Sequence, residues 1–361
     1  VLQVERRDRE LRTPGERVEG VRRLVVVRDD RLGDVVLTLP AVAALRRAYP
    51  DARLALMVRP GLASLAHMVP VVDEVLEASG GRGRIEGTLR AFEPDLVVCV
   101  SRGAAVAWAA ARARVPHRVG TGYRLYSPLF TRTVAERRRS GGRHEAEYAL
   151  SFAHRAGAPA GPAEFPLDVP GPALDAAGEW VAEHAPDGPV VVLHAGSGGS
   201  CPRWPFDRFV ELAERLRAGG AGVVFSIGPA DAWVAQALDA APAAVRALPR
   251  FRSELARLPA LLREAALVVG NSTGPLHLAA ALGTATLGVY APWPTCAAAR
   301  WGPYATNGWA VAACNEEAVR WSRRERRARG EGLLGGVPAA LVARSAASML
   351  GGRPPGYSQG G

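Results

Sequence analysis

Short apolar runs rich in β-branched residues alternate along this chain with stretches whose apolar residues recur at helical spacing, and the alternation happens twice. Leu24–Val27 reads as a buried strand, Arg28–Asp34 as a polar turn, and Val35–Tyr49 as a helix ended by Pro50. Arg53–Val58, Val71–Leu76 and Asp95–Val100 read as further strands, with helices over Gly87–Phe92 and Ala104–Arg114. A Pro-, Gly- and Ala-rich stretch, Gly157–Pro172, interrupts the pattern as a linker candidate. It then restarts with strands at Val190–Leu193, Gly222–Ile227, Leu267–Val269 and Thr286–Val289. Helices at Pro205–Ala218, Leu258–Ala265 and Pro275–Leu282 lie between them, and a last helix covers Val337–Met349. Strands that alternate with helices demand a parallel sheet covered on both faces.

The expected fold class is therefore α/β, with two Rossmann-like doubly wound domains facing across a cleft. The expected order is a polar extension (1–23), a first domain (24–160), a linker (161–175), a second domain (176–336), a helix (337–350) and a disordered tail (351–361). A length of 361 residues suits two such domains. Ligands of doubly wound sheets bind at the carboxyl ends of the strands.

The charge balance is 45 − 35 = +10, and every cation is arginine, since the chain has no lysine. Such a balance suits an anionic partner, and it equally follows from a composition biased toward Arg, Ala and Gly. No zinc-finger, RNA-recognition or basic-zipper pattern supports nucleic acid. The four cysteines, Cys99, Cys201, Cys296 and Cys314, are scattered, and their spacing predicts neither a disulfide framework nor a zinc ribbon. Val1–Arg23 lacks the apolar core of a signal peptide. Ala265–Ala299 carries no Asp, Glu, Lys or Arg, but its glycines and prolines cut it into pieces too short to span a bilayer. The expectation is a cytoplasmic protein able to visit the inner face of the cytoplasmic membrane. With no long apolar seam left unassigned, a monomer is expected.

Four segments can carry chemistry. In Asp30-Arg31-Leu32-Gly33-Asp34, Gly33 allows a tight turn and Asp34 opens a helix; the carboxylate serves either as an N-cap or as a general base. His194 to Ser200 is a glycine- and serine-rich turn that either flexes freely or wraps phosphate oxygens, with Arg203 near enough to add a bidentate contact. Gly270-Asn271-Ser272-Thr273-Gly274-Pro275-Leu276-His277 runs from strand to helix. It is either an ordinary capped start or an anion site built from free N–H groups and the helix dipole. His117–His144 is basic, with aromatics interleaved. Arg124, Arg132 and Arg143 suit an acidic acceptor there, whereas Arg137–Arg139 reads as a solvated run. Arg28, Arg31 and Arg59 near strand ends would add to the field.

Together these residues resemble glycosyltransferase family 9, the bacterial ADP-heptose:lipopolysaccharide heptosyltransferases. The resemblance runs from about Leu24 to Tyr304. It rests on Val25–Arg28, Asp30–Pro40, His144–Tyr148, His194–Gly198, Arg203–Pro205, Gly270–His277 and Arg300–Tyr304. It implies a GT-B fold with the acceptor on the first domain and the sugar nucleotide on the second. It also implies an inverting transfer without metal or other cofactor. Asp34 falls on the family's base. The donor contacts fall on Gly33, Gly196, Ser197, Gly198, Arg203, Asp231, Asn271, Ser272, Thr273, Gly274, Pro275 and His277. An anionic glycan or glycolipid acceptor would meet Arg31, Arg59, Arg124, Arg132, Arg143 and His144. Two positions depart from the family: Pro202 stands where a phosphate-binding Lys is usual, and Ser272 where an Asp usually touches the sugar. A different nucleotide sugar with a small-molecule or other envelope-glycan acceptor therefore stands beside the ADP-heptose reading. A non-catalytic nucleotide-sugar-binding protein is the alternative of another class. A dinucleotide-dependent oxidoreductase lacks its glycine fingerprint.

Overall fold

Arg23–Val27 is fully apolar after its first residue, so it can lie only at the centre of a sheet covered on both sides. The computed structural model describes residues 1–3, 15–78, 81–101, 103–135, 142–252, 254–304 and 307–355. Arg137, Arg138 and Arg139, and positions 356–361 of the expected tail, lie outside the described residues. The chain divides into two units between Asp168 and Val169, and the strand Leu2–Gln3 (β1) goes with the second.

The N-terminal unit carries Arg23–Val27 (β2), Arg53–Val58 (β3), Glu74–Glu77 (β4), Leu96–Cys99 (β5), His117–Thr121 (β6) and Arg132–Val134 (β7). They form one parallel sheet in the order β4-β3-β2-β5-β6-β7. Val25, Val27, Ala55, Met57 and Val97 from this sheet pack with Leu89, Phe92 and Val106 from its helices. The helix expected over Val35–Tyr49 is two helices, Leu32–Val36 and Leu39–Ala48. Pro40 has no N–H to carry the ladder on to the Val36 carbonyl, and the Thr38 hydroxyl donates to the Asp34 carbonyl at 2.8 Å.

The C-terminal unit carries Val190–His194 (β8), Gly222–Ile227 (β9), Arg250–Arg252 (β10), Leu267–Asn271 (β11), Thr286–Tyr290 (β12) and Gly308–Ala312 (β13). The order is β1-β13-β12-β11-β8-β9-β10, with only β1 antiparallel. Counting strands within each unit, both sheets follow the Rossmann order 3-2-1-4-5-6. The direction of winding reverses between β2 and β5 in one unit and between β8 and β11 in the other. Those two places are where a doubly wound sheet opens a crevice for a ligand.

Three further sequence expectations change. The stretch read as linker runs into a helix, Gly171–His184, because Pro172 sits in the first turn, where its missing N–H is not needed. The residues before it pack on the N-terminal unit, with Asp168 N–H donating to the Met68 carbonyl at 2.8 Å and Arg47 paired with Glu164. Residues 2–3, expected in a polar extension, add a strand to the edge of the second sheet. Cys201 and Cys296 are joined in a disulfide across 95 residues of sequence. They lie in the loops after β8 and β12, and parallel strands deliver both loops to the same edge of the sheet. The linear spacing carries no trace of that meeting. Among the described residues no single helix is long and apolar enough to cross a membrane.

Candidate active site

Where β2 ends, the chain turns through Arg28–Arg31 and enters the helix Leu32–Val36 with Asp34 in its first turn. Asp34 is not a lone carboxylate. Arg28, with no exposed surface, donates from Nη2 to Asp34 Oδ1 and lies 3.4 Å from Glu145 Oε1. Its Nε meets Asp30 Oδ2 at 3.1 Å, and its Nη1 donates to the Val100 carbonyl at 3.1 Å. Burial works against the Arg28 charge, but Asp34, Asp30 and Glu145 outweigh it and raise the guanidinium's pKa. Asp34 Oδ1 is thus engaged, while Oδ2 has no hydrogen-bond partner among the described residues. The Asp34 side chain keeps 12% exposure. Gly33 is buried beside it. Ser101, after β5, closes the crevice by accepting from Asp29 N–H at 3.0 Å.

Arg28 therefore corrects the expectation that it adds to an open cationic field: its buried charge is met by Asp30, Asp34 and Glu145. Arg31, Arg59 and Arg124 are exposed. Arg132 donates to the Glu16 carbonyl at 2.5 Å. Arg143 is bound to the helix Glu145–Arg155 through Glu147 and Ser151, and His144 caps that helix by accepting from Ala146 N–H at 3.2 Å. Glu145 had no role in the sequence reading, although it stands inside the His144–Tyr148 motif. Only its side-chain position, 117 residues from Arg28, assigns it one.

In the C-terminal unit, the turn after β8 and the start of the helix Gly274–Ala281 after β11 flank the other crevice. Asn271 joins them. Its Oδ1 accepts from Trp204 N–H at 2.8 Å and its Nδ2 donates to the Ala195 carbonyl at 3.0 Å, so this amide braces the site from within. Gly270 must be small, since a Cβ there would stand 2.9 Å from the His194 carbonyl oxygen. Ser197, Gly198 and Gly199 continue outward, with Gly199 at φ +74°, a conformation that suits glycine. The Thr273 hydroxyl donates to the Asn271 carbonyl at 3.2 Å and does not cap the helix, which leaves its first turn open to an anion; Pro275 is tolerated there. Ser272 stands at the same turn, half-buried, and His277 is buried near the Trp301 ring. Asp231 lies against Gly196 and 3.8 Å from His194 Nε2. Arg203 is paired with Glu331 at 2.9 Å and stacked over Trp233. Pro202, in the family's lysine position, packs toward Gly330. Among the described residues no group of three or more His, Cys, Asp or Glu side chains is placed to hold a metal ion.

Two Rossmann-ordered units, one carrying a partly exposed carboxylate and the other an open helix start beside a glycine-rich turn, give the chain the GT-B fold. The model of glycosyltransferase family 9 (heptosyltransferase) matches residues 82–329, and the chain belongs to that family. It is 26% identical over 298 residues to lipopolysaccharide heptosyltransferase 1 of Pseudomonas aeruginosa, covering 75% of this chain and 79% of that one. Its fold is similar to a family 9 glycosyl transferase from Veillonella parvula, with a TM-score of 0.78, 20% identity, and 91% and 97% of the two chains covered. It is also similar to the ADP-heptose lipopolysaccharide heptosyltransferase II of E. coli, with a TM-score of 0.74, 19% identity, and 91% and 98% covered.

Proposed function

We propose that this enzyme moves a heptose, or a closely related sugar, from an ADP-sugar to an anionic acceptor of the lipopolysaccharide-core type, with inversion and without a metal ion. Asp34 Oδ2 takes the proton of an acceptor hydroxyl as that oxygen attacks the anomeric carbon. The bond from that carbon to the phosphate oxygen breaks, and ADP leaves on the opposite face. The diphosphate charge is met by N–H groups at Gly274 and the turn Gly196–Gly198, with Ser197 and Arg203 as side-chain donors. Asp231 would face the nucleoside, and Asn271, Ser272, Thr273, Pro275 and His277 shape the turn that receives the donor. Arg31, Arg59 and Arg124 would draw the acidic acceptor, with Arg132, Arg143 and His144 behind them.

The observation that carries this reading is the division of labour on Asp34, with one oxygen held by a buried guanidinium and the other unpartnered among the described residues. The names of the relatives support the ADP-heptose donor. Ser272, where the family commonly has a carboxylate for the sugar, favours a second reading with another nucleotide sugar. Peripheral contact with the inner face of the cytoplasmic membrane belongs to the proposal, and fully exposed Leu125 beside Arg124 supports it. The working form is taken as a monomer.

A thermal-shift screen of ADP, UDP, GDP and their sugars tests the donor, because a ligand selective for the folded state raises apparent stability. ADP and ADP-heptose should raise Tm most; selective stabilisation by UDP or GDP would move the assignment to the second reading. Turnover unchanged by a chelator is the expected result for a metal-free reaction.

A further inference from the structure

We propose that Arg28 and Glu145 act as a buried positioning pair, Arg28 holding the Asp34 carboxylate in place and Glu145 limiting how much of the Arg28 charge reaches it. The inference rests on Asp34 as the base and adds two residues to its control.

The arrangement is costly to build. A guanidinium with no exposed surface has lost its hydration and must recover it from partners. One carboxylate would suffice for charge, yet Arg28 meets three. Asp30 takes Nε at 3.1 Å, while Asp34 and Glu145 share the single nitrogen Nη2. Glu145 is as deeply buried as Arg28, with 1% side-chain exposure, so it does not face substrate and reaches Asp34 through Arg28. Asp34 alone combines the Nη2 bond with an oxygen that has no partner among the described residues. A base needs this: one oxygen fixed, the other in place for the incoming proton, and a negative charge not fully neutralised by its partner.

Other titratable groups surround the pair. Asp30 stands in the turn, Arg31 at the N-cap of the Asp34 helix, and His144 at the N-cap of the Glu145 helix. Cys99 and Tyr126 feel Asp29 and Asp30, but burial pushes the Cys99 thiol up to about 12 and raises Tyr126 as well, so neither ionises near neutrality. The pair also has a second anchor. Arg28 Nη1 donates to the Val100 carbonyl just past β5, and the Arg28 backbone N–H donates to the Met57 carbonyl of β3, so guanidinium and backbone are each tied to the edge of the sheet. Asp34 is thereby referenced to the rigid sheet rather than to its own five-residue helix.

The test uses opposite electrostatic signs. In Arg28→Gln the base loses its cation and should hold a proton more tightly; in Glu145→Gln the Arg28 charge is shared by one fewer acid and the base should hold it less tightly. The readout is ADP release from ADP-heptose against pH, with water in the acceptor's place. Water oxygen bonds to the anomeric carbon, ADP departs, and Asp34 takes the proton. The acid limb of kcat/KM should move up by about one pH unit in Arg28→Gln and down by a similar amount in Glu145→Gln. Both should turn over more slowly at their optima, and Arg28→Lys should recover part of the rate. ADP affinity should stay at the wild-type value in all of them. If Arg28→Gln does not fold, Arg28→Gln combined with Glu145→Gln keeps the local charge balance and is compared with Glu145→Gln alone. The pH dependence of carbodiimide labelling at Asp34, mapped by peptide mass, gives the same ordering without any turnover. Limbs that stay in place, or move in one direction in both variants, would overturn the pairing. A wild-type enzyme that releases no ADP would instead count against the proposed donor, leaving the labelling series to decide this inference.

Discussion

The carboxylate of Asp231 fills the space that a Cβ at residue 196 would need. Glycine at 196 is thus a packing requirement of the turn after β8. Beneath it, burial lowers the pKa of His194, with Asp231 and the Ser226 hydroxyl at 3.0 Å acting in the other direction. A histidine whose folded pKa lies below its unfolded value of about 6.5 binds fewer protons folded than unfolded near that pH. Its favourable share of stability is complete above about pH 6.5 and is lost as pH falls below that value. Tm recorded from about pH 7.5 down to about 5.5 should fall less steeply in His194→Gln than in the wild type. Equal slopes would mean that His194 is not buried in its neutral form. The strand-to-helix turns that hold Asp34 and Gly270 were legible in the sequence because a strand end, small residues and a helix start follow one another directly. Arg28 was misread and Glu145 missed for the opposite reason: their pairing spans 117 residues, and an arginine after a strand looks the same whether it faces solvent or acids.

At the level of elements, the two crevices are built by the turns at the strand ends, and the short apolar strand runs announced them well. The sequence reading passed over the helix Glu145–Arg155 and the strand Gly308–Ala312, and it also missed elements whose signal was weak or contradictory. The edge strands β7 and β10 have three residues each, and the helix Gly171–His184 starts inside a Pro- and Gly-rich run. The disulfide between Cys201 and Cys296 belongs here too, since it staples the end of the turn after β8 to the loop after β12. Closing a loop of this length restricts the unfolded chain, so Cys201→Ser should lower stability by about 2–4 kcal/mol, read from the denaturant midpoint. A bridged peptide in a non-reducing digest of the wild type is the companion result. A midpoint unmoved by the substitution would show that the bridge is not closed in solution.

Across the whole molecule, one strand order is used twice, and the two copies take different work. The N-terminal unit carries Asp34 and Arg31 at its switch point, with exposed Arg59 and Arg124 after β3 and β6; the C-terminal unit carries an uncapped helix start and small residues at the equivalent place. That duplication was legible because the alternation restarts after residue 172, and the family motifs fall at the corresponding strand ends. The net charge of +10 pointed to an anionic partner but could not say which arginines serve it, and the structure withdraws Arg28 from that set. If base and donor site belong to separate units, damage to one should spare the other. The decisive measurement is therefore kcat together with the ADP dissociation constant for Asp34→Asn, with circular dichroism to confirm the fold. The expected result is a loss of about 10²–10⁴-fold in kcat with ADP binding unchanged; turnover near the wild-type rate would contradict Asp34 as the base.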